Sequence, residues 1–263
     1  MELIDLLGFF LALLIGVVLG LIGGGGSILT VPLLVYLLGY NPVVATAYSL
    51  FVVGASSVVG VIQKNKEKLV DFKTGFIFSF PSFLAVYITR RFLVPAIPLE
   101  IVSINNFILT KGVAIMVFFA LIMIVAATSM IRTKKINDSE FKKIPYYNTF
   151  IQGIIIGTIT GLIGAGGGFL YVPALVLWAG LPMKKAVGTS LVIIAINSII
   201  GFSGDLYNLE INWDFLILFT SLTILGVLLG GYLSKFISNK KLKKGFGWVV
   251  MVMALYIIMK ETL

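Results

Sequence analysis

The sequence predicts an all-α polytopic membrane protein built from two inverted repeats, each a glycine-broken helical hairpin followed by three transmembrane helices. Three observations lead there. The composition is 59% hydrophobic and 12% charged, with a mean hydropathy of +1.08, whereas soluble chains carry roughly 25% charged residues. Charge-free stretches of membrane-spanning length recur along the chain. A glycine-rich motif occurs twice, 141 residues apart, in one gapless frame.

The 263 residues include no cysteine and no histidine. That removes disulfides, thiolate metal sites and thiol nucleophiles, and with them the commonest general base and metal ligand. No catalytic residue, metal site or cofactor is expected, and the chain does not read as an enzyme. The net charge of +9 reads as basic cytoplasmic loops rather than a nucleic-acid surface. The start of the chain, with Glu2 and Asp5 and no basic stretch, does not read as a cleavable signal.

A helix crosses the roughly 30 Å hydrocarbon layer with about 20 apolar residues. The stretches free of Asp, Glu, Lys and Arg are 6–63, 74–89, 112–131, 144–183, 186–204, 215–234 and 245–259. The first divides at Gly23-Gly24-Gly25-Gly26 and at the turn Gly39-Tyr40-Asn41-Pro42, giving segments at 4–22, 27–38 and 43–62. The stretch 144–183 divides likewise at Gly164-Ala165-Gly166-Gly167-Gly168 and at Gly180-Leu181-Pro182, and the next helix covers 184–203. An unbroken helix over 4–38 would run about 52 Å, too long for the bilayer. Pro81 is expected to kink the helix at 74–89. Asp71-Phe72 and Asp214-Phe215 open the next helix of each half. Trp178, Trp213 and Trp248 fall near helix ends, as interface anchors do. No carboxylate is expected well inside a span.

Residues 20–60 align with 161–201 with 17 identities in 41 positions, among them Gly20/Gly161, Gly23/Gly164, Gly25/Gly166, Gly26/Gly167, Pro32/Pro173, Gly39/Gly180, Ser49/Ser190, Ser57/Ser198 and Gly60/Gly201. Such internal repeats are typical of transporters. They divide the chain into a first transmembrane repeat at 1–132, a basic cytoplasmic linker at 133–147 and a second repeat at 148–263. If each glycine break turns the chain back and the N-terminus starts outside, the loops 63–73, 132–143, 183–185 and 235–244 fall inside. They hold 16 of the 20 Lys and Arg residues, a positive-inside bias. The second half is then inverted relative to the first, and both termini lie outside. Arg90-Arg91 is the discordant element, a basic pair on the outer side.

Each glycine break precedes a new helix. The first N–H groups of a helix lack internal partners and sit at its positive end, and glycine lets a ligand approach that backbone. Two such N-termini facing each other near the midplane would form an anion site without charged side chains. This nominates Gly23, Gly24, Gly25, Gly26 and Ser27 in the first break, and Gly164, Gly166, Gly167 and Gly168 in the second. The following helices carry a small-residue stripe of Ala45, Ser49, Ser56 and Gly60, whose repeat mates are Ala186, Ser190, Asn197 and Gly201. Ser49, Ser56, Ser190 and Asn197 join the candidate site. Close helix packing is the competing explanation for both features.

The segments Gly20-Leu-Ile-Gly-Gly-Gly-Gly-Ser-Ile-Leu-Thr-Val-Pro32 and Gly161-Leu-Ile-Gly-Ala-Gly-Gly-Gly-Phe-Leu-Tyr-Val-Pro173, each followed by Ala-x-x-x-Ser-Leu (Ala45 to Leu50, Ala186 to Leu191), resemble the TauE/SafE family of membrane permeases. The resemblance implies export of sulfite or organosulfonates such as sulfoacetate. The expected function is therefore a small-anion permease of the inner membrane with alternating access between repeats. Its partners would be a small anionic substrate and the lipid bilayer, with no nucleic acid. A homodimer is compatible with the small-residue helix surface. An anion channel, a carrier for another small solute and a non-transporting membrane subunit are the alternatives.

Overall fold

A computed structural model of the chain describes residues 3–22, 27–104, 107–132, 146–164, 167–177 and 179–262. Among these residues it has ten helices and one β-hairpin. The first half contains α1 (Leu3–Ile22), α2 (Ser27–Pro32, continued by a π-helical turn over Leu33–Leu37), α3 (Pro42–Lys66), α4 (Phe72–Ile88, continued through Thr89–Leu93 and Val94–Ala96) and α5 (Lys111–Ile131). The second half contains α6 (Tyr146–Ile163), α7 (Gly168–Leu177), α8 (Met183–Asp205), α9 (Trp213–Leu233) and α10 (Asn239–Thr262). Between α4 and α5 lies an antiparallel hairpin of β1 (Glu100–Ile104) and β2 (Phe107–Thr110), with a bulge between Glu100 and Val102. The architecture is otherwise all-α, as the sequence predicts. The hairpin falls where the short apolar run after Pro98 contains several β-branched residues.

The helix ends follow local chemistry. Asn41 caps α3 by accepting from the Val43 N–H at 2.9 Å, with Pro42 at the first helical position. Asp71 caps α4 by accepting from the Thr74 N–H at 3.0 Å. The second half differs from the expectation. Asn212, not Asp214, caps α9, accepting from the Phe215 N–H at 3.2 Å. Asp214 lies in the first turn instead. Asn212 is related to Asp71 by the same 141-residue shift, so the frame of the repeat extends into α9. The cap backbones obey it too: the Asp71 N–H donates to Thr189 Oγ1 at 2.9 Å, and the Asn212 N–H donates to the Tyr48 hydroxyl at 2.7 Å. The linker expected at 133–147 lies mostly outside the described residues, and α6 already begins at Tyr146. The lysine tract at 240–244 belongs to α10 rather than to a loop.

Among the described residues, five helical spans are long and apolar enough to cross a membrane, and α3 and α8 are the central ones. They are 67% and 78% buried within the protein, against 44% for α4, α5 and α9. Phe10, Phe92, Val125 and Val252, each more than 60% exposed, belong to the lipid-facing surface of such a protein. These spans fit an integral multi-pass membrane protein.

Helices in lipid associate through close packing at small residues, and the glycines report the pairings. A Cβ added to Gly16 or Gly20 on α1 would collide with the Thr223 or Val227 carbonyl on α9, and one on Gly226 or Gly230 with the Leu13 or Val17 carbonyl. These contacts advance together, so α1 and α9 run parallel. On α6, Gly157 lies against the Ser82 carbonyl and Gly161 against Val86 and Thr89 of α4. This pairing is also parallel, and Gly157 and Ser82 stand 141 residues from Gly16 and Thr223 respectively. The central pair is antiparallel: Gly54 meets Ser198, Gly60 meets Leu191 and Gly201 meets Leu50. α5 packs along α10 over an apolar cluster including Met116, Phe119, Met123, Val250, Ala254 and Ile257.

The Gly226→Leu substitution should separate α1 from α9, because the atom it meets is a backbone carbonyl that cannot rotate away. A loss of about 1–3 kcal/mol or more is expected, read as a lowered melting temperature and aggregation on gel filtration. Gly245→Leu, where a Cβ meets nothing within 4 Å, should leave both unchanged.

Candidate functional site

The polar side chains buried in this fold concentrate on the helices around the α3–α8 crossing. On α3, Ser49, Ser56 and Ser57 are completely buried, and on α8 so is Ser198, with Asn197 only 1% exposed. The four seryl oxygens and Asn197 Oδ1 have no hydrogen-bond partner among the described residues. Serines in membrane helices usually bond back to the carbonyl one turn earlier. Ser190 does so, donating to the Val187 carbonyl at 2.8 Å. The others leave acceptors and donors facing the crossing, at the cost of burying them unpaired.

Asn197 joins the crossing to a second group of side chains. Its Nδ2 donates to Ser82 Oγ at 2.7 Å and to the Tyr171 hydroxyl at 2.6 Å. Tyr171 and Ser82 are 2.8 Å apart, and Tyr171 lies 3.2 Å from Thr160 Oγ1, which itself donates to the Gly157 carbonyl. Four helices, α4, α6, α7 and α8, thus meet at one tyrosine hydroxyl. Gly167, at φ +68°, makes room for it, since a Cβ there would collide with Thr160 and Tyr171.

The end of the crossing where α3 begins and α8 finishes carries a buried ion pair. Arg90, fully buried, places Nη1 3.1 Å from Thr46 Oγ1 and 3.4 Å from Asp205 Oδ2. Asp205 is 3% exposed although it is the last residue of α8 rather than one well inside it. Gly164, at φ +69°, lies directly against the guanidinium and Thr46, where a side chain would collide with both.

The opposite end is basic as well. Lys64, 5% exposed, donates to Glu67 Oε2 at 3.1 Å and to Ser234 Oγ at 2.9 Å. It lines a cavity of about 80 Å³ with Leu21, Glu67, Lys184, Ser234 and Lys235.

These neighbours place the ends of α1 and α6 at opposite ends of α3. Gly164, which follows α6, touches Thr46 near the start of α3. The end of α1, which leads into the first break, shares a cavity with Lys64 at the far end of α3. The 18 residues between them span about 27 Å of helix. α1 has 20 residues and α6 has 18, lengths of about 27–30 Å. Gly23, Gly24, Gly25, Gly26 and Gly166 lie outside the described residues, as does the side chain of Ser27, which begins α2. Gly168 begins α7. Of the nominated residues, Ser49 and Ser56 are buried on α3 and Asn197 on α8, Gly167 adjoins the tyrosine hub, and Gly164 lies against Arg90 and Thr46.

Sequence reasoning passed over Arg90, Asp205, Tyr171, Ser82, Thr160 and Thr46. Arg90 had a signal: it breaks the positive-inside pattern. Among the described residues, no group of three His, Cys, Asp or Glu side chains could hold a metal.

The description "Sulfite exporter TauE/SafE" matches residues 8–257. The chain belongs to the TauE/SafE family. Relatives include a probable membrane transporter protein of Xylella fastidiosa, 29% identical over 259 residues that cover 94% of this chain and 92% of the relative. Another is YunE of Bacillus subtilis, also named a probable membrane transporter protein, 29% identical over 274 residues covering 95% and 93%. A third, from Methanocaldococcus jannaschii, is 29% identical over 203 residues covering 73% and 70%. No solved structure matches the chain. This TauE/SafE protein is thus a membrane transporter.

The hub and the unpaired serines should respond oppositely to truncation. Asn197→Ala strips Ser82 and Tyr171 of a shared donor and should cost about 1 kcal/mol. Ser56→Ala removes an oxygen that has no partner and should change thermal stability by less than about 0.5 kcal/mol, measured by unfolding in detergent.

Proposed function

We propose that this TauE/SafE protein is an inner-membrane permease for a small oxyanion, sulfite or an organosulfonate, that binds at the α3–α8 crossing. The observation that carries the reading is the set of unpaired buried oxygens on Ser49, Ser56, Ser57 and Ser198, with cationic side chains at both ends of the same helix pair. Four hydroxyls with no partner among the described residues are free to donate to a ligand. The sulfur chemistry comes from the family description alone.

Asn197 can adapt to such a ligand. Tyr171 and Ser82 each donate or accept, so the amide can rotate to give them its oxygen and offer its NH2 group to an anion. The crossing is closed in the present conformation, since every one of its polar side chains is 0–1% exposed. Full occlusion favours a carrier over an open pore. We assign alternating access to the motion of one half against the other about an axis in the membrane plane. The contacts that recur at the 141-residue shift support that symmetry. Both termini are placed outside, from the distribution of Lys and Arg.

Two experiments test this reading. Purified protein in proteoliposomes should give a sulfite- or sulfoacetate-dependent current on a solid-supported membrane. Asn197→Asp, which puts a carboxylate at the crossing, should reduce it about tenfold or more. Silence of the unmodified protein toward every anion would overturn the substrate class, and full activity of the variant would overturn the location. For orientation, the native chain lacks cysteine, so single replacements report cleanly. Glu210→Cys should react with an impermeant maleimide on intact cells, and Lys235→Cys only after lysis. The reverse pattern would invert the assigned topology.

A further inference from the structure

We infer that Arg90 is an oxyanion-binding residue at the outer end of the pathway, with Asp205 as the built-in counter-ion that occupies it when no anion is bound. The inference rests on the permease reading above and adds to it a second site, about one helix turn and more beyond the crossing. Arg90 is 0% exposed, and its partners engage one nitrogen: Nη1 meets Thr46 Oγ1 at 3.1 Å and Asp205 Oδ2 at 3.4 Å. Nε and Nη2, both buried, have no hydrogen-bond partner among the described residues. Those two atoms form the edge of a guanidinium that grips a carboxylate, sulfonate or sulfite through two parallel hydrogen bonds. Nη2 points to Gly164, where the backbone at φ +69° leaves no Cβ in the way.

The charges around this edge suit an anion that must also leave. Asp205 neutralises Arg90, and Lys111, 8% exposed, begins α5 within electrostatic reach of Arg90. The cluster of Arg90, Lys111 and Asp205 therefore keeps one net positive charge. An incoming oxyanion has a charged edge to bind and a carboxylate beside it that weakens its hold, so release competes with binding. Thr46 fixes the guanidinium in plane from α3 while Asp205 holds it from α8, so a relative shift of these two helices changes which partner Arg90 keeps.

The test uses the full chain, in proteoliposomes for transport and in detergent for sulfite- and sulfate-dependent thermal stabilisation. Arg90→Lys keeps the charge and loses the two-pronged edge; its KM should rise about ten- to hundredfold, with a matching loss of anion-dependent stabilisation. Asp205→Asn should lower KM and lower the maximal rate together, because the anion no longer meets a competitor. Removing one partner of a buried pair can unfold a protein, so Arg90→Gln/Asp205→Asn, which leaves no unpaired charge, is the companion variant. It should fold and lose anion-dependent stabilisation. Transport by the unmodified protein with an unchanged KM in both Arg90 variants would overturn the Arg90 site and leave the permease reading standing. Arg90-dependent stabilisation by sulfite without transport of any anion would do the reverse.

Discussion

The fold depends on backbone reaching backbone across glycine. In water, burial of apolar side chains would hold these helices together, but lipid tails are as apolar as the side chains themselves. What remains is contact area and weak polar attraction, and both grow as helix axes approach. Gly16, Gly20, Gly226 and Gly230 bring α1 and α9 so close that each presents its Cα to a carbonyl of the other, the geometry of Cα–H···O contacts. Gly153, Gly157 and Gly161 do the same between α6 and α4. Each outer pair clamps one hairpin to one helix of the opposite half. The remaining helices α3 and α8 are thereby enclosed and become the most buried spans. The central crossing, with its polar side chains, can exist only because these flanking pairs shield it from lipid.

That enclosure makes the polar side chains informative. At the tyrosine hub, Tyr171, Ser82, Thr160 and the Asn197 NH2 group satisfy one another, so their burial needs no further account. A few residues away, Ser49, Ser56, Ser57 and Ser198 satisfy no group among the described residues. The two groups lie on touching helices in the same fold. The contrast separates hydroxyls that join helices from hydroxyls without a partner among the described residues. Sequence spacing treats them alike, because a serine stripe has the same period whichever purpose it serves.

Helix positions were readable because charge is excluded from lipid: the charge-free stretches and their glycine and proline punctuation predict the ends of α1, α2, α5 and α8 to within two residues. The 141-residue frame reaches further along the chain than the identities show, through Asp71 and Asn212 to Ser82 and Thr223. What sequence left hidden was the wiring of the polar side chains: the Tyr171 hydroxyl joins Ser82, Thr160 and Asn197 across four helices, which no spacing within one helix shows. Burial of Arg90 was hidden for a different reason. A basic residue after a span reads as solvated, and only the tertiary placement of Asp205 and Thr46 on two other helices turns it inward.

The two ends of the α3–α8 crossing carry unlike chemistry. At the 141-residue shift, Asp205 corresponds to Lys64, and Arg90 corresponds to Gly231. The end where α3 begins receives its cation from α4 and its anion from α8. The end where α3 finishes receives its cation from α3 itself, at the position that is acidic in the other half, and its balancing charge from Glu67 at 3.1 Å. With Gly231 in place of a long side chain, Gln63 fills the space against α9 and donates to the Leu228 carbonyl at 3.3 Å. Both ends thus present a cation to the pathway, but they hold it differently. Arg90 is fully buried and planar, suited to gripping an anion. Lys64 borders a cavity that Lys184 and Lys235 also line, suited to attracting an anion from solution without fixing its orientation. If transport runs through both ends, the energy profile of the anion is unequal at the two faces, although the helices around it are nearly the same.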